Sequence, residues 1–185
     1  MGKFNFIKTD IEDVYIIEPT VFGDERGYFC ETYNEREFAE NGLDYVFVQD
    51  NQSRSTKGVL RGLHFQKKYP QAKLVRVIYG KVLDVAVDLR KGSETYGKWV
   101  SAVLSGENKR QLMIPRGFAH GFYVLSDTAE FCYKCDEFYH PEDEGGIIWN
   151  DPDIGIDWQL DGEPKLSEKD KKHPAFAEGK TEFDI

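Results

Sequence analysis

Two histidines stand in apolar, strand-like runs: His64 in VLRGLHFQ (residues 59–66) and His120 in IPRGFAHGF (residues 114–122). Imidazole is the side chain whose unperturbed pKa lies nearest neutrality, so both are candidates for moving protons. In an extended strand, side chains alternate between faces. Strict alternation sets Leu60, Gly62 and His64 on one face and Arg61, Leu63 and Phe65 on the other, so Arg61 needs a bend at Gly62 to work beside His64. A histidine among apolar neighbours is also a common hydrogen-bonded core residue, and the rest of the chain has to decide between the two readings.

The segment Pro115, Gly117, His120 has the spacing P-x-G-x-x-H, which resembles the second motif of the cupin superfamily of jelly rolls. Metal-binding cupins carry an H-x-H pair in the first motif. Here the matching place reads His64, Phe65, Gln66, and two histidines without a third strong ligand make a poor site for iron, manganese or zinc. Cys132 and Cys135 form a C-x-x-C, but inside the strand-like run EFCYKCDEFYH and without a second pair. With Cys30 they make an odd number and read as reduced thiols, the C-x-x-C pair buried in a strand. No metal is expected.

The elements that must position these groups are mostly strands. YVFVQDN, VLRGLHFQ, KLVRVIYG, KVLDVAVDLR, KWVSAVLS, RQLMIP, GFAHGFYVLS and AEFCYKCDEFYH are short runs rich in Val, Ile, Tyr and Phe, separated by turn residues. Before them, FNFIKTD, VYIIEPTVF and YFCETY also read as strands around the turn GDERG. NEREFAENG reads as one short helix, with Asn34 as N-cap, Glu37 at the capping-box position and Gly42 past its end. Gly80 and Lys81 look like a tight hairpin. In KVLDVAVDL, one face (Leu83, Val85, Val87, Leu89) is apolar and the other (Val82, Asp84, Ala86, Asp88) is small and acidic. That second face is solvated in an open sheet, Asp88 included, whereas a barrel with a polar lumen would enclose Asp84. LSEKDKK reads as a short terminal helix with Ser167 as N-cap and Asp170 at its third position. The tail beyond Pro174 carries no usable pattern.

This pattern predicts an all-β-dominated fold, a β-sandwich or double-sheet jelly roll with a few short helices, in a single domain over residues 1–185. The 185 residues, 40% hydrophobic and 14% aromatic, suit one sizeable core. No run is long enough to span a membrane, and MGKFNFIKTD lacks a basic segment followed by an apolar one, so the chain reads as cytoplasmic. A net charge of -9 disfavours nonspecific nucleic-acid binding. An anionic ligand remains open, provided local arginines hold it.

With the metal set aside, DERGYFCE, FVQDN, GVLRGLHFQ, KLVRV, DVAVDLR, PRGFAHGF, YKCDEFYHP, WNDP and LSEKD together, and in that order, resemble the dTDP-4-dehydrorhamnose 3,5-epimerase family. The resemblance runs from about Asp10 to about Lys171. It implies a cupin-like double-stranded β-helix, or jelly-roll barrel. The implied substrate is a nucleotide-linked 4-keto-6-deoxy-glucose, inverted at C3 and C5 on the way to L-rhamnose, without metal or nicotinamide. Both carbons flank the C4 ketone, so their protons are acidified. Inversion needs a base on one side of the ring and an acid on the other.

The same resemblance makes His64 the base and Asp170 the carboxylate that holds its imidazole, against the plainer reading of Asp170 as a helix cap. It makes Tyr133 the acid on the opposite face, with Tyr139 as the other candidate donor or a packing residue. Lys73, which opens KLVRV, is expected at the developing oxyanion, and motif position and strand phase let His120, oriented by Asp84, share that work. Arg61 and Arg26 are assigned to the diphosphate, Glu31, Gln49 and Asn51 to the nucleotide, and Glu144 to the substrate edge. In this family the N-terminal segment is shared across a homodimer, so Arg26 and Glu31 can serve a neighbour's site. A single-site epimerase, a non-catalytic sugar-nucleotide binder and a metal-dependent cupin are the competing readings. The binder has no use for the His64, Asp170 and Tyr133 set, and the metal cupin is opposed by the missing H-x-H.

Overall fold

Two antiparallel sheets face each other in a computed structural model that describes residues 3–179 and 181–184. The six-stranded sheet runs β1 (Phe4–Lys8), β2 (Tyr15–Pro19), β10 (Gln111–Ile114), β7 (Lys73–Tyr79), β12 (Thr128–Cys135), β5 (Gln49–Thr56). The five-stranded sheet runs β13 (Glu144–Gly146), β6 (Leu60–Gln66), β11 (Phe118–Val124), β8 (Lys81–Asp88), β9 (Trp99–Ser105). A separate two-stranded ribbon joins β3 (Phe22–Asp24) to β4 (Gly27–Phe29). This is the expected cupin-like jelly roll.

Three apolar layers follow from strand alternation. Between the sheets lie Val75, Val77, Val82, Ala86, Leu112, Phe118, Phe122 and Phe131. The outer face of the five-stranded sheet (Leu60, Leu63, Leu83, Val85, Val87) is covered by Ile147, Ile154, Trp158 and Phe183 from the C-terminal part. The outer face of the six-stranded sheet (Ile17, Leu74, Met113) is covered by the helix α1 (Glu35–Glu40), whose Phe38 is fully buried. Asn34 caps α1 as expected, accepting from the Glu37 backbone N–H at 3.2 Å. The Glu37 carboxylate instead accepts from the Lys3 backbone N–H.

Several expectations change. Gly80 does not close a hairpin: β7 and β8 lie in different sheets, and the chain crosses between them there. Gly80 has φ +77°, and a Cβ on it would fall 2.0 Å from the Thr128 carbonyl oxygen, so the crossing requires glycine. A two-residue turn signal is local and carries no information about which sheet the next strand joins. Of YVFVQDN only the stretch from Gln49 is strand, of YFCETY only Tyr28 and Phe29, and β12 stops at Cys135. Beyond it Asp136 leaves the ladder, its carboxylate accepting from the Ala72 backbone N–H at 2.6 Å. LSEKDKK forms only a 3-10 turn over Asp170–Lys172, with the Asp170 N–H donating to Ser167 Oγ at 3.1 Å.

The acidic face of β8 is not solvated. Asp84 and Asp88 are fully buried, and Asp88 accepts from Arg90, Ser93 and Thr95. The patternless tail is also tied down, with Phe183 buried and bridged to Arg90.

The strict alternation expected for β6 fails at Gly62. His64 pairs with His120 but Arg61 pairs with Phe122, so two residues of β6, Gly62 and Leu63, stand opposite the single Gly121 of β11. The extra residue is a β-bulge, and it moves Arg61 onto the face of His64. Leu60 and Leu63 point to the outer layer, while Arg61 donates to Ser55 Oγ of the opposite sheet at 3.2 Å. Gly62 has φ +122°, and a Cβ there would lie 2.6 Å from the Gly121 Cα. Only glycine fits the bulge.

Candidate active site

One end of the lumen opens as a cavity of ≈ 210 Å³ lined by Gln49 and Asn51 from β5, His64 and Gln66 from β6, Lys73 from β7, Tyr133 and Cys135 from β12, and Tyr139 and Glu144. His64 belongs to one sheet, and Tyr133 and Lys73 to the other, so the two kinds of proton-handling group face each other across the gap.

His64 Nε2 lies 2.5 Å from Asp170 Oδ1, which is 4% exposed against 30% for the histidine. The carboxylate is thus directed at the imidazole. Burial works to raise its pKa, but the hydrogen bond and charge of His64, with Ser167, outweigh it and hold Asp170 below the usual carboxylate range. With Nε2–H donating to Asp170, the lone pair of His64 sits on Nδ1.

Across the lumen, burial raises the Tyr133 phenol above its ordinary value, while Arg61 works in the opposite direction. Its hydroxyl makes no hydrogen bond among the described residues. Lys73 makes no ion pair among the described residues, and burial pulls its ammonium below the usual lysine range. Tyr139 differs: its hydroxyl donates to Glu144 Oε2 at 2.6 Å, and that carboxylate pushes the phenol up to about 12. Lys169 Nζ also reaches Glu144 Oε2, at 2.5 Å.

The buried pair expected from strand phase is present, with His120 Nε2 2.8 Å from Asp84 Oδ1. Burial raises the Asp84 pKa and lowers that of His120. Lys73 acts electrostatically on both, which couples this pair to the cavity wall.

Arg26 and Glu31 are not brought to this cavity. The Arg26 side chain is 85% exposed on the β3–β4 ribbon and pairs with Asp24. Glu31 pairs with Lys3 at 2.7 Å.

A sequence model described as dTDP-4-dehydrorhamnose 3,5-epimerase matches residues 8–178. The chain belongs to the dTDP-4-dehydrorhamnose 3,5-epimerase family. A relative of that name from Methanothermobacter thermautotrophicus is 61% identical over 173 residues, 92% of this chain and 94% of its own. The crystal structure of a dTDP-6-deoxy-D-glucose-3,5-epimerase from Legionella pneumophila, in complex with dTDP-4-keto-L-rhamnose, superposes with a TM-score of 0.93 at 53% identity. It covers 95% of this chain and 94% of that one. More distant is a 3'-monoepimerase from Streptomyces bikiniensis in complex with dTDP-quinovose: 35% identity, TM-score 0.86, 91% and 86% covered.

Three residues at or beside this cavity escaped the sequence reading. Gln66 is buried and clamps the loop that carries Tyr139: its Nε2 donates to the Tyr69 and Phe138 carbonyls, and its Oε1 accepts from the His140 N–H. Its place in the H-x-H position drew attention only to what it is not. Cys135 lines the cavity and accepts from Asn51 Nδ2 at 3.8 Å, with burial raising its thiol to about 11. His173 lies beside Asp170, 3.4 Å from Nε2 to Oδ1, with its ring edge-on to His64. No local signal links a histidine in the tail segment KKHPAF to His64 more than a hundred residues earlier.

Among the described residues no helix is long and apolar enough to cross a membrane.

Proposed function

We propose that this protein catalyses the 3,5-epimerisation of dTDP-4-keto-6-deoxy-D-glucose to dTDP-4-keto-L-rhamnose by acid and base side chains alone. The observation that carries the reading is the His64–Asp170 pair set opposite Tyr133 across the lumen, with Lys73 beside the gap. His64 Nδ1 removes the proton next to the ketone, and the C–H electrons delocalise onto the C4 oxygen as an enolate. The Lys73 ammonium, helped by the His120–Asp84 pair, stabilises that oxygen. Electrostatic stabilisation by one such donor in a dry site is worth about 3–4 kcal/mol. Tyr133 then delivers its proton to the opposite face of the carbon, and inversion follows. Solvent restores the phenol and takes the proton from His64. The same cycle runs at C3 and C5, with no net oxidation.

Tyr133 is favoured over Tyr139 because its hydroxyl is free, whereas that of Tyr139 is committed to Glu144. Ligand cavities for drug-sized molecules run to about 300–1,000 Å³. A space of ≈ 210 Å³ therefore suits the sugar ring and leaves the diphosphate and nucleotide at the mouth. Gln49, Asn51, Tyr139 and Glu144, which line the cavity, are assigned to the nucleotide and the substrate edge, and Arg61, turned onto the face of His64 by the bulge, to the diphosphate.

The single jelly-roll domain of residues 1–185 is proposed to work as a homodimer, the β3–β4 ribbon lending Arg26, and the segment after it Glu31, to the partner's nucleotide. Support comes from the ribbon's exposed aromatic residues, Phe22, Tyr28 and Phe29, each more than half exposed in the lone chain.

Incubation with dTDP-4-keto-6-deoxy-D-glucose, with the product's ring couplings read by NMR, tests the function. Inversion at both carbons is expected. Inversion at one would mark a single-site epimerase, and no inversion would refute the enzymatic reading.

A further inference from the structure

We propose that His64, Asp170 and His173 form a binding site for a zinc-type divalent cation, and that occupancy of this site switches the base off. The inhibitory half rests on the epimerase reading above. The binding half does not.

The donor set is two imidazoles and one carboxylate, each able to offer one atom, with all these atoms within 4.8 Å of one another. Such a borderline-soft nitrogen and oxygen set suits zinc and leaves coordination positions open. His173 supplies the independent reason to see a ligand site. Its side chain is 9% exposed, and Nε2 is buried without a hydrogen-bond partner among the described residues. The atom lies 3.4 Å from Asp170 Oδ1 but lacks the alignment of a hydrogen bond. A buried imidazole nitrogen left in this state costs free energy that a bound cation would recover. The ring is pinned there, resting on Gly146 where no side chain would fit.

Two of the three ligand edges can be set against what zinc requires. Metal bonds of about 2.0–2.1 Å at tetrahedral angles put neighbouring ligand atoms about 3.3–3.4 Å apart. The His173–Asp170 edge already has this length at 3.4 Å. The His64–Asp170 edge must open from 2.5 Å, which is what happens when a cation replaces the shared proton. His64 is the more exposed member and has room to turn.

The consequence for the base follows from the tautomer. With Nε2–H on Asp170, the His64 lone pair is on Nδ1. A cation needs the Nε2 lone pair, so the ring proton moves to Nδ1, and the nitrogen that would attack the substrate loses its electron pair. Binding and base function are therefore mutually exclusive at one ring.

The test titrates zinc chloride against the full-length protein and its His173→Asn variant, using competition with a chromogenic chelator, and measures epimerisation of both proteins over the same zinc range. Because the two chains share all other thiols and histidines, only the difference between them counts. An unaltered melting temperature in the variant shows that it is folded, and inhibition is read as a fraction of each protein's own zinc-free turnover. The expected result is a one-to-one site weakened about 10–100-fold in His173→Asn, with zinc inhibition shifted by the same factor. His64→Asn should lose the same binding step. Equal zinc affinity in wild type and His173→Asn would overturn the proposal, and so would binding without effect on turnover. If zinc binds through His173 but neither protein epimerises the substrate, the binding site stands and the enzymatic reading fails.

Discussion

Asparagine in place of Asp170 preserves shape and removes one charge at the back of the proposed base. The carboxylate lies 2.5 Å from His64 Nε2 and is 4% exposed, so solvent cannot substitute for it. An asparagine there can present its amide N–H to Nε2, and the ring proton then resides on Nδ1, where the substrate proton has to go. In serine-protease triads the same carboxylate-to-amide change costs about 10⁴ in kcat, through the wrong tautomer. At about 1.36 kcal/mol per tenfold that is roughly 5.4 kcal/mol of transition-state stabilisation. The assay is kcat by NMR, with dTDP affinity by calorimetry and melting temperature alongside. Asp170→Asn is expected to lose about 10⁴-fold in kcat with dTDP affinity unchanged. A folded variant keeping kcat within about tenfold of wild type would refute the tautomer argument, since it falls below even the weakest acid–base contribution of about 10².

Tyr133→Phe is expected to lose about 10²–10⁴ in inversion while His64 still exchanges the substrate proton for deuterium from the same face; loss of exchange together with inversion would assign Tyr133 a different role. Gly62→Ala forces a Cβ to within 2.6 Å of the Gly121 Cα at φ +122°, and should cost at least about 2 kcal/mol in urea unfolding as well as weakening dTDP binding through Arg61. A neutral result would mean that the bulge does not need glycine. At Asp88, burial opposes the charge, but hydrogen bonds from Arg90, Thr95 and Ser93 prevail and hold the carboxyl below its usual range. Its stabilising contribution is therefore present above the unfolded value of about 3.9 and is lost as pH falls through the lower folded value. Stability of Asp88→Asn should accordingly fall less steeply with acid below about pH 4 than that of wild type, as followed by urea midpoints across pH 2–6, and parallel slopes would contradict this.

Most of the strands, the capped helix α1 and the Asp84–His120 pair were legible in the sequence, because periodicity and capping are local signals. Strand pairing was not, as Gly80 shows: the turn chemistry is right and the partner sheet is wrong. At Gly62 alternation misplaced Arg61 by one face, since a bulge depends on the neighbouring strand β11 and leaves in the sequence only an ambiguous glycine. Asp88 looked solvated until the following loop brought Arg90, Ser93 and Thr95 onto its carboxylate. Family motifs carried Asp170 and Tyr133 to the site, over distances that no spacing argument spans. They were silent on His173, which only the folding-back of the C-terminal segment brings to Asp170.

One imidazole, His64, is proposed to take the proton at both carbons flanking the ketone. Deuterium incorporation at C3 and C5 of the dTDP-linked sugar, followed by NMR in deuterated water for wild type and His64→Asn, tests it most directly. Solvent deuterium is expected at both carbons with the wild type and at neither with His64→Asn, while the variant still binds dTDP. Exchange at either carbon by His64→Asn at a rate near that of wild type would contradict it.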